Sequence, residues 1–320
     1  MTSISLGGGR EFDRIRQIAA ALGPSAGALG DDTAAIPTRP GIMVVSTDAS
    51  VEAVHFRREW LTLPEIGWRS TASALSDLAA AAATPAGITV ALVVPPDLDD
   101  AGLVAVMSGV GEAAQSAGCR VLGGDLSSGP SLALTVTVFG HARPAPMSRR
   151  GAQPGDGVYV TGALGAARAA LLDWFDGETP SPAARMAFAR PQPRIMAGQW
   201  LAAQGATAMM DISDGLGGDA AHLAAASAVA LRLTLERCPI HPSVHRVATR
   251  RGEPFATFAA VGGEDYELLV TMPPGFAADR ECEPAAGVVL TRIGDVVAGA
   301  GVETTLRGVP VALTGFQHRL

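Results

Sequence analysis

ATAMMDISDGLGGDAAHLAAAS, residues 206–227, carries the clearest structural signal in this 320-residue chain. The apolar run at 206–210 has the composition of a buried strand and leads directly into Asp211. The segment at 214–227, rich in small residues, is typical of a helix, with Asp214 placed where a helix cap would stand. A strand that ends in an acid and turns straight into a helix indicates an α/β or α+β arrangement.

The same alternation of apolar strands and alanine-rich helices continues along the chain. In the first half it predicts helices at 11–22, 64–83 and 97–117, and strands at 42–46, 88–94, 120–122 and 132–139. In the second half it predicts helices at 163–175, 193–203 and 214–227, and strands at 157–161, 206–210, 229–235, 256–261 and 267–272. A proline- and arginine-rich passage at 141–154 separates the two sets. We therefore predict two domains, residues 1–148 and 149–320.

The basic residues restrict the chemistry, because all 24 of them are arginine and the chain contains no lysine. A P-loop requires a lysine on the terminal phosphates, a protein kinase requires its strand lysine, and Schiff-base chemistry requires an amine. All three mechanisms are excluded. If the protein uses ATP, then arginine, backbone N–H groups and carboxylate-bound metal must neutralise the phosphates.

Charge and hydropathy exclude other classes of protein. The formal charge is −7 and no basic run is longer than a pair, which argues against a nucleic-acid partner. The most apolar stretch, residues 75–94, is broken by Asp77 and Pro85 and is not expected to span a membrane. The three cysteines have no CxxC spacing, and the N-terminus lacks the pattern of an export signal. We expect a cytoplasmic protein without disulfides or zinc.

Acidic residues recur at the ends of predicted apolar elements. Asp77 differs from them, since it is the only ionisable residue between positions 70 and 83, on a helix of small and apolar side chains suited to burial. A carboxylate in such a place requires a cation or several donors, and Mg²⁺ is the simplest candidate. The recurring passages are Gly30-Asp31-Asp32, Ser46-Thr47-Asp48, Gly123-Gly124-Asp125, Asp211-Ile212-Ser213-Asp214 and Gly263-Glu264-Asp265.

Each acidic passage has an ordinary structural explanation as well. Gly-Asp-Asp and Gly-Gly-Asp are common turns, and an aspartate before a helix is a common N-cap. Turns explain neither Asp77 nor the i, i+3 pair Asp211 and Asp214 at a strand-to-helix junction. His55 is either a substrate contact or a structural hydrogen-bonding residue, and Arg149 is either a phosphate contact or part of a solvated pair. Spacing alone leaves both choices open.

Seven passages are distinctive when taken in order: GDDTAAIP, VSTDASVEAVHF, LSDLAAAAATP, LGGDLSSGP, RRGAQPGDGVYVTG, MMDISDGLGGD and VGGEDYELL. Together they resemble the thiamine-monophosphate kinase family of the aminoimidazole ribonucleotide synthetase-like superfamily. The resemblance covers nearly the whole chain, and the pairing of Asp-Ile-Ser-Asp-Gly with Gly-Gly-Glu-Asp-Tyr-Glu-Leu favours the thiamine branch.

The resemblance implies a two-domain α/β (α+β) fold, with an N-terminal metal- and ATP-binding sheet domain that forms a homodimer and a C-terminal α/β domain that completes the active-site cleft. It implies small-molecule substrates, ATP and thiamine monophosphate, and Mg²⁺ as cofactor. The implied magnesium ligands are Asp32, Ser46, Thr47, Asp48, Asp77, Asp125, Asp211 and Asp214.

The remaining implied contacts are to the two substrates. Nucleotide contacts fall on Gly124, Asp125, Arg149 and Ser213, of which Arg149 and Asp125 are the expected catalytic residues. The acceptor is expected to meet His55 and Glu264, and Phe316 is expected to stack on its ring. The chemistry is in-line transfer of a phosphoryl group to a phosphate oxygen, which requires charge neutralisation rather than a strong base.

The chain departs from the family pattern in three places. Asparagine is common where Ala74 stands, glycine is common near Ala82, and Thr-Thr-Arg is common where residues 126–128 read Leu-Ser-Ser. The changes at Ala74 and Ser128 leave two alternatives. One is a related ATP-using enzyme with another small phosphorylated substrate, and the other is a non-catalytic nucleotide-binding paralogue.

Overall fold

The computed structural model describes residues 10–26, 33, 36, 39–276, 282–283 and 288–313. The chain divides into two compact units. Unit 1 consists of residues 1–78 and 83–145, and unit 2 consists of residues 79–82 and 146–320. Among the residues that the structure describes, no helix is long and apolar enough to cross a bilayer.

Unit 1 is a four-stranded sheet with helices. Its strands lie in the order β1-β4-β2-β3, in which β2 and β3 are parallel and the other pairs antiparallel. The elements are α1 (Arg10–Leu22), β1 (Ile42–Val51), α2 (Leu63–Ala80), β2 (Thr84–Val94), α3 (Asp100–Ser116), β3 (Val121–Ser128) and β4 (Ala133–Ala142).

The unit 1 core lies on one face of this sheet. Alternate residues of β2 and β4, such as Val90 and Val136, are buried, whereas their neighbours are more exposed, as expected when one sheet face is covered. Two glycines allow α2 and α3 to pack closely. A Cβ at Gly67 would lie 2.0 Å from the Val106 carbonyl oxygen, and one at Gly109 would lie 1.8 Å from that of Pro64.

Unit 2 is built on an eight-stranded sheet in the order β12-β11-β7-β10-β5-β8-β6, with β9 paired to β10. The elements are β5 (Gly157–Thr161), α4 (Ala166–Phe175), α5 (Pro182–Ala189), α6 (Ile195–Ala203), β6 (Ala208–Asp211), α7 (Leu216–Ser227), β7 (Ala230–Thr234), α8 (Val244–Arg251), α9 (Phe255–Ala260), β8 (Leu268–Met272), β9 (Cys282–Glu283), β10 (Val288–Val297), β11 (Gly301–Leu306) and β12 (Val309–Pro310). Every residue of β5, β6 and β8 is buried, which explains their continuous apolar sequence.

The predicted fold class is confirmed, and three predictions about elements are wrong. Residues 256–261 were expected as a strand, but α9 is a helix whose Ala256, Phe258, Ala259 and Ala260 are buried. The strands β1 and β3 run past their predicted ends. Residues 46–48 and 123–125 therefore lie inside strands rather than in turns at strand ends. The helix α5 and the strands β10 and β11 were not anticipated.

Candidate active site

The unit 1 site begins with a contact between β1 and α2. The Ser46 hydroxyl donates to Asp77 Oδ2 at 2.5 Å. In the sheet register Ser46 is opposite Val138 and Asp48 is opposite Val136, and both valines are buried on the face that carries α2. Alternation along a strand therefore places the side chains of Ser46 and Asp48 on the side where Asp77 lies. Of the predicted ligands of unit 1, these three therefore lie on the same side of the sheet.

Thr47 lies on the other face of the same strand. Its hydroxyl is 2.9 Å from that of Thr137, the residue opposite it on β4. A contribution of Thr47 to a site shared with Asp48 would therefore have to come from its main chain rather than its hydroxyl.

Asp125 is not close to the Ser46, Asp48 and Asp77 group. Across the sheet, Asp48 lies opposite Val136, Val136 opposite Val90, and Val90 opposite Gly124 on β3. Asp125 is the next residue of β3, so its side chain lies on the other face of the sheet. Three strand spacings of about 4.8 Å separate β1 from β3, or about 14 Å. One ion with ligands at 2–2.6 Å cannot bind both aspartates of one protomer directly. The exposed Asp125 carboxylate accepts from the Ser127 hydroxyl at 3.0 Å, so the altered passage 126–128 keeps a polar contact to this acid.

Gly124 lies where no side chain fits. A Cβ there would be 1.9 Å from the Val90 carbonyl oxygen on the adjacent strand, whereas a Cβ at Gly123 would meet nothing within 4 Å.

His55 follows β1, and its Nδ1 accepts from the Val51 N–H at 3.1 Å. A neutral His55 therefore carries its proton on Nε2.

The unit 2 site is formed by the loop between β6 and α7. Asp211 ends β6 and is buried, whereas Ser213 and Asp214 are half-buried in the loop. Asp219, in the first turn of α7, accepts from the N–H groups of Ser213 at 3.1 Å and Asp214 at 3.2 Å. Its burial, together with the charges of Asp211 and Asp214, raises the pKa of Asp219 to about 7. Asp219 was not among the predicted site residues, and the signal for it was an acid in the first turn of a helix.

A second loop, containing Glu264 and Asp265, is joined to the first by backbone hydrogen bonds. The N–H of Glu264 donates to Ser213 O at 2.8 Å, that of Tyr266 to Ile212 O at 2.9 Å, and that of Ile212 to Glu267 O at 2.8 Å. Gly263 permits this approach, because a Cβ there would be 2.5 Å from Ser213 O. The Asp-Ile-Ser-Asp and Gly-Gly-Glu-Asp motifs therefore form a pair of loops joined by three backbone hydrogen bonds.

Two acids, the half-buried Asp265 and the buried Glu267, support the second loop. The Asp265 carboxylate accepts from the Gly165 N–H at 2.9 and 3.1 Å, and burial raises its pKa well above the usual range, with added repulsion from Glu267, Glu264 and Asp219. Glu267 is neutralised by Arg194, whose Nε donates at 2.8 Å, and it accepts from the Thr161 hydroxyl at 2.6 Å. These contacts fix the loop where it enters β8.

Arg149 lies in unit 2 beside β6. The Met209 N–H donates to Ser148 O at 2.9 Å, and the Ser227 hydroxyl donates to Arg149 O at 2.8 Å. Hydrogen bonds therefore hold the main chain on both sides of the Arg149 Cα, whereas the residue as a whole is exposed.

Of the other predicted site residues, Asp32 and Phe316 lie outside the residues that the structure describes.

The donor atoms of both sites are carboxylate and hydroxyl oxygens, which suit a hard cation such as Mg²⁺. Within the described ranges, no three His, Cys, Asp or Glu residues are grouped as a ready metal site. In unit 1 two carboxylates and one hydroxyl share a sheet face, and in unit 2 two aspartates flank Ser213. Such partial sets leave coordination positions for phosphate and water.

Comparison with known proteins places this chain in a family. Residues 30–142 match the AIR synthase related protein N-terminal domain, and residues 153–307 match its C-terminal domain. The thiamine-monophosphate kinase of Caulobacter vibrioides is 35% identical over 96% of this chain and 90% of its own length.

Solved structures agree with this comparison. The Stenotrophomonas maltophilia thiamine-monophosphate kinase superposes with a TM-score of 0.80 at 33% identity, covering 96% of this chain and 98% of that one. A structure described as AaThiL complexed with AMPPCP and TMP superposes with a TM-score of 0.79 at 32% identity, covering 97% of each chain. The chain belongs to the thiamine-monophosphate kinase family.

Proposed function

We propose that this chain transfers the γ-phosphoryl group of ATP to thiamine monophosphate, giving thiamine diphosphate and ADP. The observation that carries the proposal is the pair of loops in unit 2. Backbone hydrogen bonds hold Ser213, the expected nucleotide contact, against Glu264, the expected acceptor contact. A related structure at 32% identity and 97% coverage carries an ATP analogue and TMP together.

Mg²⁺ is the proposed cofactor, and the chemistry of the available donors supports it. The ligands would be Ser46, Asp48 and Asp77 in unit 1 and Asp211 and Asp214 in unit 2. Asp32, Asp125 and a group of Thr47 complete the proposed set by resemblance. Burial, and after it the charges of Asp211 and Asp214, raise the pKa of Asp219, and a bound cation would relieve the repulsion between these acids. When bound, Mg²⁺ would supply neutralisation of the phosphate charge.

The protein's own residues position the reactants rather than react with them. An acceptor phosphate dianion already carries a nucleophilic oxygen, which attacks the γ-phosphorus while the bond to the β-phosphate oxygen breaks and ADP leaves. Arg149, on its anchored backbone, would stabilise the charge that develops on the transferred group. Glu264 and His55 would orient the acceptor, and Phe316 would stack on its ring. No lysine is required for any of these roles.

Homodimerisation is also proposed, through the uncovered face of the unit 1 sheet. Two large apolar side chains of the edge strand β1, Met43 and Val45, are 47% and 63% exposed on that face. Exposed apolar side chains on an edge strand are typical of a surface that pairs with another chain. Replacing Val45 with Glu is expected to convert a dimer into a monomer in light scattering. An unchanged dimer mass would count against this surface.

The test of the function is ADP release from ATP with and without thiamine monophosphate. Turnover that depends on thiamine monophosphate supports the proposal. Turnover with a different phosphorylated acceptor supports the related-enzyme alternative. Nucleotide binding without turnover on any acceptor supports the non-catalytic paralogue. The expected cytoplasmic location stays a prediction.

A further inference from the structure

The acceptor loop contains a short hydrogen bond between two side chains. The Tyr266 hydroxyl donates to Glu264 Oε2 at 2.5 Å. The tyrosine is buried and the glutamate is half-buried. A hydrogen bond to an ionised carboxylate is stronger than one between neutral groups, and it fixes the rotation of the carboxylate plane.

The backbone of both residues is held in an unusual conformation. Glu264 has φ 71° and Tyr266 has φ 51°, both in the left-handed region that residues with side chains seldom adopt. Their N–H groups are tied to Ser213 O and Ile212 O, while Asp265 between them is turned to the Gly165 N–H. Such backbone strain persists where the surrounding structure imposes it, and it is common at ligand sites. Here it places the hydroxyl of one residue on the carboxylate of the other.

We propose that Tyr266 is a positioning residue, which orients the Glu264 carboxylate toward the acceptor's cationic, amine-bearing heterocycle. The inference rests on the proposed function, because it requires Glu264 to contact the acceptor. Thiamine monophosphate carries a thiazolium cation and an aminopyrimidine, and both suit a carboxylate held at a fixed angle. Tyr266 itself does not touch ATP in this scheme. Its loss should therefore weaken acceptor recognition alone.

The test is the Tyr266→Phe variant, which keeps the buried ring and removes only the hydroxyl. We expect KM for thiamine monophosphate to rise by about tenfold. KM for ATP and the melting temperature should stay close to those of the unchanged enzyme. Tyr159→Phe is the matched control, because Tyr159 is the chain's other tyrosine, is also buried, and its hydroxyl donates to a main-chain oxygen, that of Phe276, at 3.3 Å. An unchanged KM for thiamine monophosphate in Tyr266→Phe, or an equal rise for ATP, would overturn the proposal.

A double-mutant cycle separates positioning from a purely structural role. If Tyr266 acts through Glu264, adding Tyr266→Phe to Glu264→Gln should give no further rise in KM for thiamine monophosphate. If the two substitutions instead raise KM for thiamine monophosphate by factors that multiply in the double variant, the positioning role is overturned and the proposed function stands. No effect of Glu264→Gln by itself would overturn both the positioning role and the acceptor contact. If the protein without substitutions does not turn over thiamine monophosphate at all, the proposed function itself is refuted.

Discussion

The hydroxyl of Ser46 on β1 donates to the carboxylate of Asp77 on α2 at 2.5 Å, joining residues 31 positions apart. This contact explains how a helix of small and apolar side chains accommodates an acid. It also places Asp77 on the same side of the sheet as the side chain of Asp48. Two acids and a hydroxyl in this arrangement form an incomplete ligand set for a hard cation.

Asp77→Asn should fold normally and lose magnesium-dependent turnover by several orders of magnitude. The amide keeps the shape and can still accept from Ser46, but it removes the charge that would bind the cation. The measurement is the rate of ADP formation across a magnesium titration, with thermal denaturation as a check of folding. Asp97→Asn is the control, since Asp97 is 62% exposed and pairs with Arg58. Near-normal rates in Asp77→Asn would contradict the metal assignment.

Adjacent glycines of β3 should respond differently to alanine. Gly124→Ala places a methyl group against the Val90 carbonyl and should lower the free energy of unfolding by about 1–3 kcal/mol, with weaker ATP binding. Gly123→Ala meets no atom within 4 Å and should change stability by less than about 1 kcal/mol. Urea denaturation and ATP titration of both variants are the measurements. Equal effects at the two positions would refute the pairing of β2 with β3 described above.

Asp219 should make the metal-free protein less stable as the pH rises. Burial raises the pKa of Asp219 from 3.8 to about 7, so the folded state retains a proton that the unfolded state has lost between these values. The contribution of Asp219 to the free energy of unfolding is therefore largest below pH 4. It falls as the pH rises from 4 to 7 and is constant above pH 7. Asp219→Asn should remove this loss while still accepting from the Ser213 and Asp214 N–H groups.

The measurement is thermal denaturation in the presence of a chelator at pH 5 and pH 8. The free energy of unfolding of Asp219→Asn, minus that of the unchanged protein, should be roughly 2–4 kcal/mol larger at pH 8 than at pH 5. The same gain in Asp295→Asn, an exposed carboxylate paired with Arg292, would show that the effect is not specific to Asp219.

Asp173→Ala should destabilise unit 2 without changing the chemistry. The buried Asp173 carboxylate on α4 binds Arg246 and Arg250 of α8, with Arg250 Nη1 at 2.9 Å. We expect a loss of about 3 kcal/mol, at the low end for a broken buried pair, because both arginines stay partly in water. Denaturation gives the stability, and turnover per folded molecule should be unchanged. Asp295→Ala, from an exposed pair with Arg292, should cost less than about 1 kcal/mol.

The sequence predicts those parts of the fold that depend on local patterns. The strand, acidic loop and helix around Asp211 could be predicted because an apolar run, an acid and an alanine-rich segment follow one another. Asp77 could be identified because it is the single charge in its part of α2. The resemblance to the family gave each motif its expected role, and the comparisons confirm the family.

The parts that could not be predicted depend on pairing between distant residues. Gly123-Gly124-Asp125 has the composition of a turn, but pairing with β2 continues the strand through it. The apolar segment at 256–261 is too short for its period to separate helix from strand. The distance between Asp48 and Asp125 follows from the order of the four strands, which no local pattern encodes. The roles of Asp219 and Tyr266 required the contact between the two loops of unit 2.

Phosphorus NMR of a mixture of the protein, ATP, Mg²⁺ and thiamine monophosphate tests the central claim most directly. The account predicts equal amounts of ADP and thiamine diphosphate, no reaction when the metal is chelated, and no diphosphate when thiamine replaces its monophosphate. ADP formed at the same rate without thiamine monophosphate, or a thiamine monophosphate signal that never changes, would contradict it.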